Sequence, residues 1–137
     1  MPEQTLTGSC LCGALRYRLS GTPERFYHCH CSRCRKSSGT GHASNLFVNS
    51  SGIEWTGDTA LLKYYKVPEA QRFTRTFCTN CGGPLPRFIE QIGVAFIPAG
   101  TLDEEPNFSP QARIFFDSKT AWSCGGDELP RFADYPA

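Results

Sequence analysis

The 137-residue sequence predicts an all-β domain. Three observations carry that expectation. Apolar and polar residues alternate over short runs. Glycine and proline, 13 and 10 copies, punctuate the chain at close intervals. No stretch keeps a helical period long enough for a helix of ordinary length. In addition, seven of the eight cysteines fall in tight groups, so the sheets are expected to be stapled by metal.

Taken in order, residues 1–9 are polar and read as a short lead-in. Cys10-Leu11-Cys12-Gly13 follows. In an extended segment, residues two apart face the same side, so both thiols can reach one ion, and Gly13 lets the backbone turn. Residues 14–19 alternate as a half-buried strand, and Ser20-Gly21-Thr22-Pro23 reads as a turn. Phe26-Tyr27-His28 reads as a strand leading into a thiol-rich loop, Cys29-His30-Cys31-Ser32-Arg33-Cys34-Arg35-Lys36. Residues 37–41 read as flexible.

Residues 42–48, 53–56 and 61–65 are expected strands separated by glycine-containing turns. Residues 72–77 alternate charged or polar with aromatic side chains and run into Cys78-Thr79-Asn80-Cys81-Gly82. Residues 85–88 continue beyond that turn, with Pro84 and Pro86 limiting their pairing. Residues 93–97 read as a buried strand, and residues 114–116 are apolar. The tail is expected to hold turns and one short helix around residues 128–133. Trp55, Phe73, Phe77 and Trp122 read as core. No linker divides the chain, so residues 1–137 are expected to form a single domain.

Formal charge is +1. Four thiolates on one zinc and three on another would bring the loaded protein to about −2. Neither value favours a phosphate backbone, so no nucleic-acid partner is expected. The N-terminus lacks the basic and apolar regions of a signal peptide, and no run approaches the ~20 apolar residues of a membrane span. A reducing, cytoplasmic location is the expectation, and there cysteines persist as thiols or metal ligands. An even cysteine count permits a disulfide framework, but pairs as close as Cys-x-Cys and Cys-x-x-Cys are poorly placed to staple one another.

Cys78-x-x-Cys81-Gly82 has the form of a metal knuckle. A redox role for the same pair wants a helix start after the first thiol, and Gly82-Gly83-Pro84 is a poor one. Joining Cys10 and Cys12 to Cys78 and Cys81 gives a closed four-thiolate site, the expected structural zinc. Grouping Cys10 and Cys12 with the central thiols instead would leave Cys78 and Cys81 short of partners. Cys29, Cys31 and Cys34 then remain as three thiols for a second ion. Its fourth position is either open, as in a catalytic zinc, or filled by His28, His30, His42 or Cys124. In an extended segment His28 and His30 point away from the Cys29/Cys31 side. Arg33, Arg35 and Lys36 can receive a substrate carboxylate or form a solvated basic loop.

These groups together resemble a known family. Ser9-Cys10-Leu11-Cys12-Gly13, His28-Cys29-His30-Cys31-Ser32-Arg33-Cys34-Arg35-Lys36, Gly39 and Phe77-Cys78-x-x-Cys81-Gly82 occur in the order seen in the family of the glutathione-dependent formaldehyde-activating enzyme and centromere protein V. Trp122 and Leu129-Pro130-x-Phe132 resemble its C-terminal end, and the likeness spans residues 6–135. The resemblance implies an Mss4-like fold of coiled antiparallel sheets. It implies two zinc sites, with Cys29, Cys31 and Cys34 holding the ion associated with activity and glutathione; partial occupancy of that second site is the expectation. It also implies a carbon–sulfur lyase whose namesake reaction adds glutathione, as co-substrate, to formaldehyde to give S-hydroxymethylglutathione. Glutathione carries two carboxylates, one of which Arg33, Arg35 or Lys36 is placed to receive. A non-catalytic, zinc-stapled interaction module is the alternative.

Overall fold

The computed structural model describes residues 2–123 and 128–136. The chain is organised on one fifteen-residue strand, β2 (Leu15–Cys29). Its side chains alternate as the sequence suggests: Leu15, Tyr17 and Leu19 are buried while Arg16 and Arg18 are exposed. The first half of β2 pairs antiparallel with β1 (Gln4–Ser9) and with β4 (Glu54–Gly57). Its second half pairs antiparallel with β3 (Ala43–Ser50) and parallel with β10 (Ala112–Ile114). β3 continues into β9 (Val94–Pro98) and then β8 (Arg87–Ile89), which completes a seven-stranded sheet. A second sheet has three strands, β5 (Leu62–Lys66), β6 (Thr74–Cys78) and β7 (Pro84–Leu85).

The all-β expectation holds, and strands lie where residues 42–48, 53–56, 61–65, 72–77 and 93–97 place them. Pro86 separates β7 from β8, so the chain leaves one sheet and enters the other within three residues. A proline cannot donate to a ladder, which is why the pairing breaks there.

Five expectations are corrected. The lead-in contains β1; Leu6 is its only large apolar residue, so its alternation is hidden in the sequence. The expected turn at 20–23 is continuous strand. Its one irregularity is a register shift between Pro23 and Arg25, where the missing N–H of proline is absorbed as a bulge. The thiol-rich loop contains a seven-residue helix, α1 (Ser32–Ser38). Residues 129–133 are not helical. Trp122 is 69% exposed rather than core.

The main core is formed by Leu6, Leu15, Leu19, Leu46, Val48 and Ile97 among others, each worth roughly 1.5–3 kcal/mol when buried. Trp55 packs on it and tilts against Tyr17 at 5.8 Å. Cys10 and Cys78 belong to this core; Cys29 and Cys34 are buried outside it. No helix among the described residues is long and apolar enough to cross a membrane.

Candidate metal centres

Cys10, Cys12, Cys78 and Cys81 come together with their sulfurs within 4.8 Å of one another. Two loops deliver them. Cys10 directly follows β1 and Cys12 lies in the turn to β2, so the pair sits on a tight turn rather than the extended segment expected. That turn is closed by Gly13 N–H to Cys10 O at 3.2 Å. Cys78 ends β6, and Gly82 N–H returns to its carbonyl at 2.7 Å. Gly13 and Gly82 both take positive φ, +77° and +74°, which makes glycine the suitable residue at each.

The surroundings suit thiolates. Asn80 Nδ2 donates to Cys12 Sγ at 3.2 Å across the two loops, and Gly83 N–H donates to Cys81 Sγ at 3.4 Å. The Asn80 amide holds Cys12 below the ordinary thiol range, and backbone N–H donors do the same for Cys81. Burial pushes Cys78 up. Cys10 and Cys12 sulfurs are 3.7 Å apart, close to the ~3.8 Å edge of a tetrahedron with ~2.3 Å zinc–sulfur bonds. Four sulfurs, with N–H donors aimed at those of Cys12 and Cys81, therefore fit a closed zinc site. Cys10 directly follows β1 of the seven-stranded sheet and Cys78 ends β6 of the three-stranded one, so such an ion would join the sheets.

Cys29, Cys31 and Cys34 form a second cluster by the same distance measure. Cys29 ends β2, Cys31 caps α1 and Cys34 lies inside the helix. The Cys31 sulfur takes the part usually played by a serine or aspartate oxygen, accepting from Cys34 N–H at 3.3 Å. At the far end Gly39 adopts a left-handed cap at φ +74° and donates to Arg35 O at 2.7 Å. Arg35 and Lys36 lie in the last turn, where cations suit the helix dipole. Asn45 Nδ2 donates to Cys34 Sγ at 3.7 Å. A hydrogen bond from Cys34 lowers the Cys29 thiol, and the same bond together with burial raises Cys34.

None of the three histidines joins this cluster. His28 stacks on His42 at 4.2 Å, and His30 lies 5.3 Å from His42 and edge-on to Phe116 at 5.5 Å. His30 is wholly buried, with Nδ1 3.4 Å from Ser123 Oγ. Burial lowers all three imidazoles, with Arg113 adding to the effect. The described residues thus offer three sulfurs and no fourth ligand; Cys124, the other candidate, lies outside the described residues. Three thiolate donors on a helix and a strand end suit a zinc with one position left for an exogenous ligand.

A cavity of about 650 Å³ is lined by Cys34 of this second cluster and also by Cys10 of the other. Cys34, His42 and Asn45 contribute to its wall, and Arg75 from β6 and Arg87 from β8 line it as well. Arg33 and Lys36 are exposed on α1 and Arg35 is half-buried, but none of the three lines the cavity. The cations that do line it, Arg75 and Arg87, escaped the sequence reading. Their hydrogen bonds go to main-chain carbonyls, Arg75 to Ser37 and Gly82 and Arg87 to Arg72. No ion pair among the described residues involves either. The available signal was the alternation in residues 72–77, which sets Arg75 on the face opposite Thr74 and Thr76.

Comparison with known proteins gives a consistent answer. Residues 5–118 match the family described as glutathione-dependent formaldehyde-activating enzyme. A Halomonas elongata protein assigned as a glutathione-dependent formaldehyde-activating enzyme is 32% identical over 144 residues, covering 96% of this chain and 88% of that protein. A Rhodobacter sphaeroides protein of known crystal structure shares the fold, with a TM-score of 0.58 at 17% identity over 78% of this chain and 98% of that one.

Proposed function

This chain belongs to the glutathione-dependent formaldehyde-activating enzyme family, and from that premise we propose that it is a zinc-dependent enzyme of carbon–sulfur lyase type. Its substrate is the adduct of glutathione, or a closely similar thiol, with an aldehyde. In the synthetic direction a C–S bond forms, the carbonyl electron pair moves to oxygen, and the proton given up by the thiol ends on that oxygen. The reverse breaks the same bond.

The observation that carries this reading is the three-sulfur cluster without a fourth ligand among the described residues, with Cys34 opening on a cavity. Cys10, Cys12, Cys78 and Cys81 would hold the structural zinc, and Cys29, Cys31 and Cys34 the second. At the second site zinc supplies Lewis acidity that favours the deprotonated form of a thiol at neutral pH.

The remaining work falls to the chain's own side chains. Arg87 presents a guanidinium group to the cavity with only Nη1 bonded, to the Arg72 carbonyl, so Nη2 is placed to receive a glutathione carboxylate. Ser38 and Thr40 line the wall on the Cys34 side, where their hydroxyls donate to the His42 carbonyl and fix the loop after α1. Asn45 keeps the Cys34 sulfur oriented. Phe73 and Phe96 supply apolar wall that excludes water. A reducing compartment such as the cytoplasm keeps the thiols available.

Cobalt substitution tests the reading. Addition of glutathione to the cobalt-loaded protein should strengthen the sulfur-to-metal absorption of the second site, and formaldehyde with glutathione should give the hydroxymethyl adduct faster than without protein. An unchanged spectrum and an unchanged rate would sink the proposal.

A further inference from the structure

We infer that Arg75 is a positioning residue that couples the two cysteine centres, fixing helix α1, and with it Cys34, against the turn that carries Cys81. A seven-residue helix does not hold itself together in water, so α1 depends on what its ends are tied to. One tie at its C-terminal end is the Ser37 carbonyl, which has no acceptor role inside so short a helix and instead receives Arg75 Nη1 at 3.0 Å. A guanidinium there also suits the negative end of the helix.

The other half of the same group is committed elsewhere. Arg75 Nη2 donates at 2.8 Å to the carbonyl of Gly82, the residue directly after Cys81. The N–H of Gly82 is itself bonded to the carbonyl of Cys78. One rigid, planar fork therefore bridges the loop of the four-cysteine cluster and the helix of the three-cysteine cluster. Among the described residues no carboxylate pairs with Arg75, and its Nε is buried with no partner. The side chain is thus placed to satisfy two carbonyls rather than to neutralise a charge.

This inference rests on the metal reading of both clusters. Cobalt titration of metal-free protein separates the two. Wild-type protein should take up two ions with distinct spectra. Arg75→Gln should keep the four-sulfur spectrum, its affinity and the circular dichroism, while affinity at the three-sulfur cluster falls about tenfold or more, as for residues that orient metal ligands. Arg75→Lys can reach only one carbonyl and should fall between them. Wild-type protein with no second cobalt site would overturn the metal reading and this inference with it. Two sites in wild type, matched in affinity by both variants, would overturn the inference alone. So would loss of both sites together in both variants, which would make Arg75 a general part of the core.

Discussion

The two cysteine clusters use the same amino acid at similar spacing yet are built in opposite ways. The four-cysteine cluster draws ligands from two loops, linked across 68 positions by the Asn80–Cys12 hydrogen bond, and its Cys10 and Cys78 are part of the main core. The three-cysteine cluster comes from one contiguous stretch, a strand end and the first turn of a short helix, and sits outside that core. A site assembled from distant segments contributes to folding because the unfolded chain cannot preform it. A local site leaves the fold largely indifferent to its occupancy and is free to exchange a ligand. On the function proposed above, placement more than donor type would separate a structural role from a chemical one.

The comparison breaks most visibly if the wrong cluster proves indispensable. Cys78→Ser should abolish cooperative folding, because structural zinc contributes on the order of 10–16 kcal/mol in small zinc peptides and whole domains are stable by only about 5–15 kcal/mol. Soluble yield and the melting transition followed by near-ultraviolet dichroism check this. A folded Cys78→Ser protein would remove the distinction.

Cys34→Ser should have the contrary outcome. The protein folds, retains the four-sulfur metal by elemental analysis, and loses at least about a hundredfold in adduct formation, the scale expected when a positioned catalytic group is removed. If it becomes as insoluble as Cys78→Ser, both clusters are structural.

A smaller effect sharpens the contrast. Asn45→Ala removes the amide that points at Cys34 Sγ. Metal affinity at the three-sulfur cluster should drop about tenfold, with none at the other, as read by competition with a chromogenic chelator. An equal drop at both clusters would mean that Asn45, which is itself buried, acts through the sheet rather than through Cys34.

Both clusters could be grouped from sequence because ligand spacing is a local, chemically narrow constraint. Cys10 and Cys12 could be assigned to Cys78 and Cys81 without knowing the fold. Most central strands were also legible, since β3, β4, β6 and β9 carry apolar side chains at alternate or continuous positions. What escaped had identifiable causes. Helix α1 was missed because a thiol stands where a hydroxyl or carboxylate normally announces a cap. Strand β2 was cut in two because Gly21 and Pro23 are turn residues by preference, while pairing with β1 and β3 holds the segment extended. Arg75 and Arg87 were passed over because a charge on an alternating strand reads as solvent-facing, whereas here it lines a cavity with Cys34.

The most direct test of the difference between the clusters is X-ray absorption at the zinc edge, recorded on the two-zinc protein with and without glutathione. Without it, the average coordination should be three and a half sulfurs per zinc, from one ion with four and one with three plus a lighter donor. With glutathione it should rise to four sulfurs per zinc. An average already at four sulfurs before glutathione, or one that stays at three and a half after it, would contradict the assignment of Cys29, Cys31 and Cys34 as the site that accepts the substrate thiol.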